Sequence, residues 1–92
     1  MHRKIYAIDL FCGAGGLTHG MSSEGIQVQA GLDSDQAGKY PYEKNNPAKF
    51  LHQDITTVSG ATLKNFLPKT GYSLLAGCAR GNLVFSKEVH HE

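Results

Sequence analysis

The sequence predicts an α/β fold in three layers, with helices on both faces of a parallel sheet of about four strands, roughly half of a doubly wound domain. Short β-branched and apolar runs alternate with helix-compatible stretches along most of the chain. A glycine cluster separates the first such run from the stretch after it. Alternation of this kind implies right-handed crossovers between parallel strands.

Residues 4–10 (KIYAIDL) form a short apolar run closed by an aspartate and the glycines, the pattern of a buried parallel strand. Residues 17–24 suit a helix that Gly25 stops, and residues 26–32 (IQVQAGL) alternate as a second strand. These elements make one βαβ unit. A second helix is expected over residues 35–45, kinked or broken by Pro41, followed by a short strand at 48–51. Ser59 is a suitable N-cap for a helix over 60–67 that ends at Pro68, and residues 72–76 (YSLLA) read as the fourth strand.

At 92 residues the chain makes at most one small domain with a thin margin of stability. An apolar share of 40% and a charged share of 18% are those of a chain that folds, not of a disordered one. The net charge of +1 supplies no basic field for a phosphate backbone. Cys12 and Cys78 lie far apart, and the five histidines show no ligand spacing, so neither a disulfide framework nor a metal site is expected. With no signal-peptide or membrane-spanning run in the sequence, the expectation is a cytoplasmic protein with no membrane contact.

The segment DLFCGAGG (residues 9–16) follows a strand and opens a helix. Glycines there let a ligand approach the backbone, and amides at a helix N-terminus favour anionic groups. Asp33 stands at the end of the second strand, where a carboxylate accepts hydrogen bonds from ribose hydroxyls. Together these features favour a nucleoside cofactor without separating S-adenosylmethionine from NAD. Taken singly, the glycines are also compatible with a tight turn alone, and Asp33 with a solvated loop.

The segment DLFCGAGGLTHG (residues 9–20) resembles the first signature of DNA cytosine-5 methyltransferases, in which a Phe precedes the glycine loop. GLDSD (31–35), HQDI (52–55) and LLAGCA (74–79) are similar to the second, third and the approach to the fourth, in that order. The resemblance implies a partial Rossmann-like fold of the class I methyltransferase type and S-adenosylmethionine as cofactor. By position, it implies that Phe11 packs against the adenine and that Gly13, Ala14, Gly15 and Gly16 line the methionine moiety. Asp33 would hold the ribose, Asp54 would accept from the adenine amino group, and Ile55 would pack on the ring. Ser34 stands where the family often carries a larger apolar side chain, which implies weaker binding.

Three of these residues also fit plainer roles: Phe11 in the core beneath the loop, Asp54 capping the next turn, and Cys12 in packing.

The family reaction transfers a methyl group to carbon 5 of cytosine, and it needs a cysteine thiolate that adds at carbon 6 of a flipped-out base. In the family that cysteine lies in a Pro-Cys-Gln loop directly after the fourth strand. Here the corresponding stretch is Ala79-Arg80-Gly81-Asn82-Leu83, with Gly81 at the nucleophile position, and Cys78 belongs to the strand before it. The expectation is a methyltransferase truncated at its catalytic loop, with no catalytic residue and weak or lost cofactor binding. It divides into a partial cofactor-binding domain over residues 1–79 and a divergent tail over 80–92. DNA, the partner of the full-length family, is not expected to bind this chain alone. Two other readings remain open: the N-terminal piece of a split enzyme completed by a complementing methyltransferase polypeptide, and a non-catalytic nucleotide-binding module.

Overall fold

In the computed structural model, which describes residues 4–79 and 82–91 and the side chains of residues 4–77, five strands form one sheet. The strands are β1 (Ile5–Asp9), β2 (Gln27–Asp33), β3 (Lys49–His52), β4 (Gly71–Ala79) and β5 (Asn82–His91), in the order β3-β2-β1-β4-β5. Strands β1 to β4 are mutually parallel, and β1 lies inside the sheet between β2 and β4. The four-stranded parallel sheet expected from the sequence is therefore present, with the glycine turn at the carboxyl end of an interior strand.

Three helices supply the other layers: α1 (Gly16–Ser23), α2 (Lys39–Asn45) and α3 (Gly60–Lys64). Alternating side chains of β1 reach opposite faces, as a doubly covered strand requires. Ala7 joins Met21, Val28, Tyr42 and Phe50 in the core under α1 and α2. Ile8 joins Leu32 and Leu63 under α3. The core thus lies on both sides of the strand that carries the turn.

The stretch expected to be one helix at 35–45 is divided into a 3-10 turn over Gln36–Gly38 and helix α2. Pro41 does not break α2, because it occupies the first turn, where its missing N–H would have had no intrahelical acceptor. Ser59 caps α3 as expected, its hydroxyl accepting from the Thr62 amide at 3.1 Å. The α-helix stops at Lys64 rather than at residue 67. Tighter turns continue it, with the Phe66 and Leu67 amides donating to the carbonyls of Leu63 and Lys64.

Strand β5 was not foreseen. It runs antiparallel to β4 from Asn82 opposite Ala79 to His91 opposite Gly71. It is composed of most of the segment expected to be a divergent tail. Gly81, expected at the nucleophile position, lies outside the described residues, as does the side chain of Cys78, whose backbone belongs to β4.

Candidate functional site

The turn after β1 is fastened at both ends by backbone bonds. The Leu10 amide donates to the Ala76 carbonyl of β4 at 2.7 Å, and the Cys12 amide to the Leu32 carbonyl of β2 at 2.9 Å. The Gly15 amide then turns back to the Cys12 carbonyl at 2.7 Å, and α1 begins at the next residue. Gly15 has φ 104°, in the left-handed region that a side chain disfavours. Gly15, the N-cap of α1, brings no side-chain cap bond, and the Thr18 amide in the first turn bonds the buried Asp9 carboxylate.

Asp33, at the end of β2, spans the gap to this turn. Its Oδ2 accepts from the Gly13 amide at 2.8 Å and its Oδ1 from the Asp35 amide at 2.9 Å. The Asp33 carbonyl accepts from the Gln53 amide at 3.1 Å, which draws the end of β3 to the same place. Two of the expected site residues, Gly13 and Asp33, are thus in direct contact, and the segment bearing Asp54 is one backbone bond away.

Phe11 is 37% exposed, and its ring lies against β4 where a side chain on Gly77 would stand, with Phe11 Cδ2 2.7 Å from that Cβ position. It is a half-open aromatic surface at the carboxyl end of the sheet, not a buried core residue.

Asp54 is exposed and caps the 3-10 turn at Ile55–Thr57. Its Oδ1 accepts from the Thr56 amide at 2.9 Å and the Thr56 hydroxyl at 2.8 Å, and these bonds hold its carboxyl below the usual range. Ile55 is partly buried against the α3-side core. Ser34 offers its carbonyl to His52 Nε2 at 3.0 Å. Ala14 and Gly16 flank Gly15 and, with His19, Asn45 and Asn46, line a surface hollow beside the turn.

Residues that the sequence reading did not single out support the turn from beneath. Asp9, Thr18 and Tyr42 are fully buried. The Thr18 hydroxyl donates to Asp9 Oδ2 at 2.7 Å and lies 2.9 Å from the Tyr42 hydroxyl. Burial raises the Asp9 carboxyl above its ordinary value, while bonds from Thr18 and from the Phe11 amide offset part of that rise. Cys12 is a buried free thiol pushed up to about 12 by desolvation, with the Asp9 and Asp33 carboxylates adding to the shift. It is therefore a protonated packing residue at neutral pH.

Among the described residues no group of three or more His, Cys, Asp or Glu could hold a metal ion. No helix among them is long and apolar enough to cross a membrane.

The pattern of the C-5 cytosine-specific DNA methylase family matches residues 5–78. Type II methylase M.HgiDII of Herpetosiphon aurantiacus is 49% identical over 72 residues, which cover 78% of this chain and 20% of that protein. Type II methyltransferase M.DdeI of Desulfomicrobium norvegicum is 36% identical over 58 residues, covering 62% and 14% respectively. The chain thus spans a fifth or less of the length of these curated relatives. Among solved structures, the plantazolicin methyltransferase BpumL in complex with a triazolic desmethylPZN analog and SAH superposes with a TM-score of 0.53 at 18% identity. That likeness covers 83% of this chain and 40% of BpumL, and it is one of fold.

Proposed function

Because this chain belongs to the C-5 cytosine-specific DNA methylase family, we propose that it forms the S-adenosylmethionine half-site of a DNA cytosine-5 methyltransferase. The observation that carries this reading is the 2.8 Å bond from the Gly13 amide to Asp33, which joins the glycine turn to an acidic strand end, in a turn that also bears the part-exposed Phe11. The donor set fits the cofactor: a glycine turn opening helix α1 suits a carboxylate, a strand-end carboxylate suits a ribose diol, and the part-exposed Phe11 suits a purine. BpumL, whose fold this chain shares, was solved with SAH.

In this reading Phe11 packs against adenine, and Gly13, Ala14, Gly15 and Gly16 line the methionine moiety. Asp33 takes the ribose hydroxyls through the lone pairs left by its two amide bonds. Asp54 accepts from the adenine amino group, and Ile55 borders the ring. Residues 1–79 carry this half-site, and residues 80–92 are an appended segment. When bound, the cofactor supplies an electrophilic methyl group on sulfur.

This chain's own residues hold and orient that donor without supplying the nucleophile. Gly81 stands at the family's cysteine position, and Cys12 is buried and protonated. Methyl transfer to cytosine in DNA therefore belongs to the family's full-length enzymes and not to this chain by itself. DNA binding likewise requires surface beyond this chain, whose net charge is +1. Calorimetric titration with S-adenosylhomocysteine tests the half-site. Binding that weakens markedly in Asp33→Ala supports it, and tighter binding of NAD would sink it.

A further inference from the structure

The glycine turn rests on a side chain that comes from another element. Tyr42 of α2 is fully buried, and its ring meets Phe50 of β3 edge-on at 5.9 Å. A Cβ added at Gly31 would stand 2.6 Å from Tyr42 Cζ and 2.7 Å from Cys12 Cβ, and one added at Gly15 would stand 2.8 Å from Tyr42 Cδ1. The same ring therefore lies against the backbone of β2 and the residue just before α1. Asn46 Nδ2 donates to the Tyr42 carbonyl at 3.0 Å, holding the end of α2 in register beneath it.

The hydroxyl adds direction to this contact. The single Thr18 hydroxyl hydrogen goes to Asp9, so the Tyr42 hydroxyl must donate to Thr18. The chain of donors runs from α2 through the first turn of α1 to the last residue of β1. It fixes α1 to β1 on either side of the turn, and the Thr18 amide bonds the same Asp9 carboxylate. Low local dielectric strengthens such a chain and makes a missing member costly.

We propose that Tyr42 is a positioning residue for the amino-acid end of the cofactor, setting the height and angle of residues 13–16 through Thr18 and Asp9. The assignment rests on the cofactor reading above. It adds a division of labour: the buried chain acts on the methionine half of the ligand alone, whereas Asp33 and Asp54, on β2 and after β3, meet the nucleoside half directly, with Asp33 also fastening Gly13.

The test compares two ligands that share adenine, ribose and sulfur but differ in the amino-acid end: S-adenosylhomocysteine and 5′-methylthioadenosine. Tyr42→Phe removes one hydroxyl and keeps the ring. Calorimetry on the whole chain should show S-adenosylhomocysteine binding weakened about fivefold, the size of one lost buried hydrogen bond, with 5′-methylthioadenosine binding unchanged. Thr18→Val should repeat that selective loss, and Thr18→Ser, which keeps the hydroxyl, should retain wild-type affinity. Equal weakening of both ligands, or none of either, would overturn the positioning role while leaving the cofactor site intact. A wild-type chain that bound neither ligand would overturn the cofactor site and this role with it.

Discussion

Gly13 and Asp33 are twenty positions apart in sequence and meet through a 2.8 Å hydrogen bond from the Gly13 amide to Asp33 Oδ2. With Oδ1 held by the Asp35 amide, the carboxylate is aimed before any ligand arrives. A group already oriented loses little entropy on binding.

Asp33→Ala removes both the ribose acceptor and the fastening of the turn. Binding of S-adenosylhomocysteine should weaken by about 1.5–3 kcal/mol, the range for hydrogen bonds to a charged group. Asp33→Asn keeps one acceptor oxygen for two amide donors and should fall between wild type and Ala. Calorimetric titration of the three proteins checks the order, and an Asn variant weaker than Ala would contradict it.

The raised carboxyl of Asp9 gives stability a pH dependence of known sign. The folded chain holds this proton more tightly than the unfolded chain, whose ordinary value is 3.8. From pH 3.8 up to the raised folded value, Asp9's contribution to stability falls as pH rises, and it is most favourable below that window. In melting curves taken across the window, the wild type should therefore lose ground to Asp9→Asn with rising pH. A difference in melting temperature that stayed flat would show that burial does not govern this group.

Gly31→Ala places a methyl group into Tyr42 and Cys12 at 2.6 and 2.7 Å. Overpacking of this kind costs about 1–3 kcal/mol, a large share of the stability of a small domain. Urea denaturation should show the midpoint lowered. Gly16→Ala, where the added Cβ meets nothing within 4 Å, is the control and should move it far less.

DNA carrying 5-fluorocytosine traps enzymes of this chemistry through covalent addition at carbon 6. The chain alone should form no adduct with it. The Cys12 thiol, pushed up to about 12, stays protonated at neutral pH, and Gly81 has no side chain. An adduct seen by mass spectrometry and lost in Cys78→Ser would make Cys78 the nucleophile.

What was legible in the sequence is what local chemistry encodes. The apolar run of β1, the glycines after it and the acid at the end of β2 announce themselves within a few residues, and the structure brings Gly13 and Asp33 into contact. Ser59 was equally plain as a cap. Tyr42 was not, because an aromatic residue after a proline in a short helix carries no sign that its hydroxyl meets Thr18 across 24 positions. Gly31 read as an ordinary member of a strand, since its lack of a side chain matters only once α2 is folded over it. Strand β5 escaped because its pairing depends on β4 already being formed.

The direction of β5 separates the sheet into two kinetic classes. Pairing β1 with β2, β2 with β3 or β1 with β4 requires closing a crossover through intervening helix or strand. Pairing β4 with β5 needs only neighbouring chain, from Ala79 opposite Asn82 outward. Sequence-local contacts close with less loop entropy and form sooner than distant ones. Strand β5 can therefore zip onto β4 ahead of the rest of the sheet. Any other strand arriving at that edge must displace a ladder that is already closed.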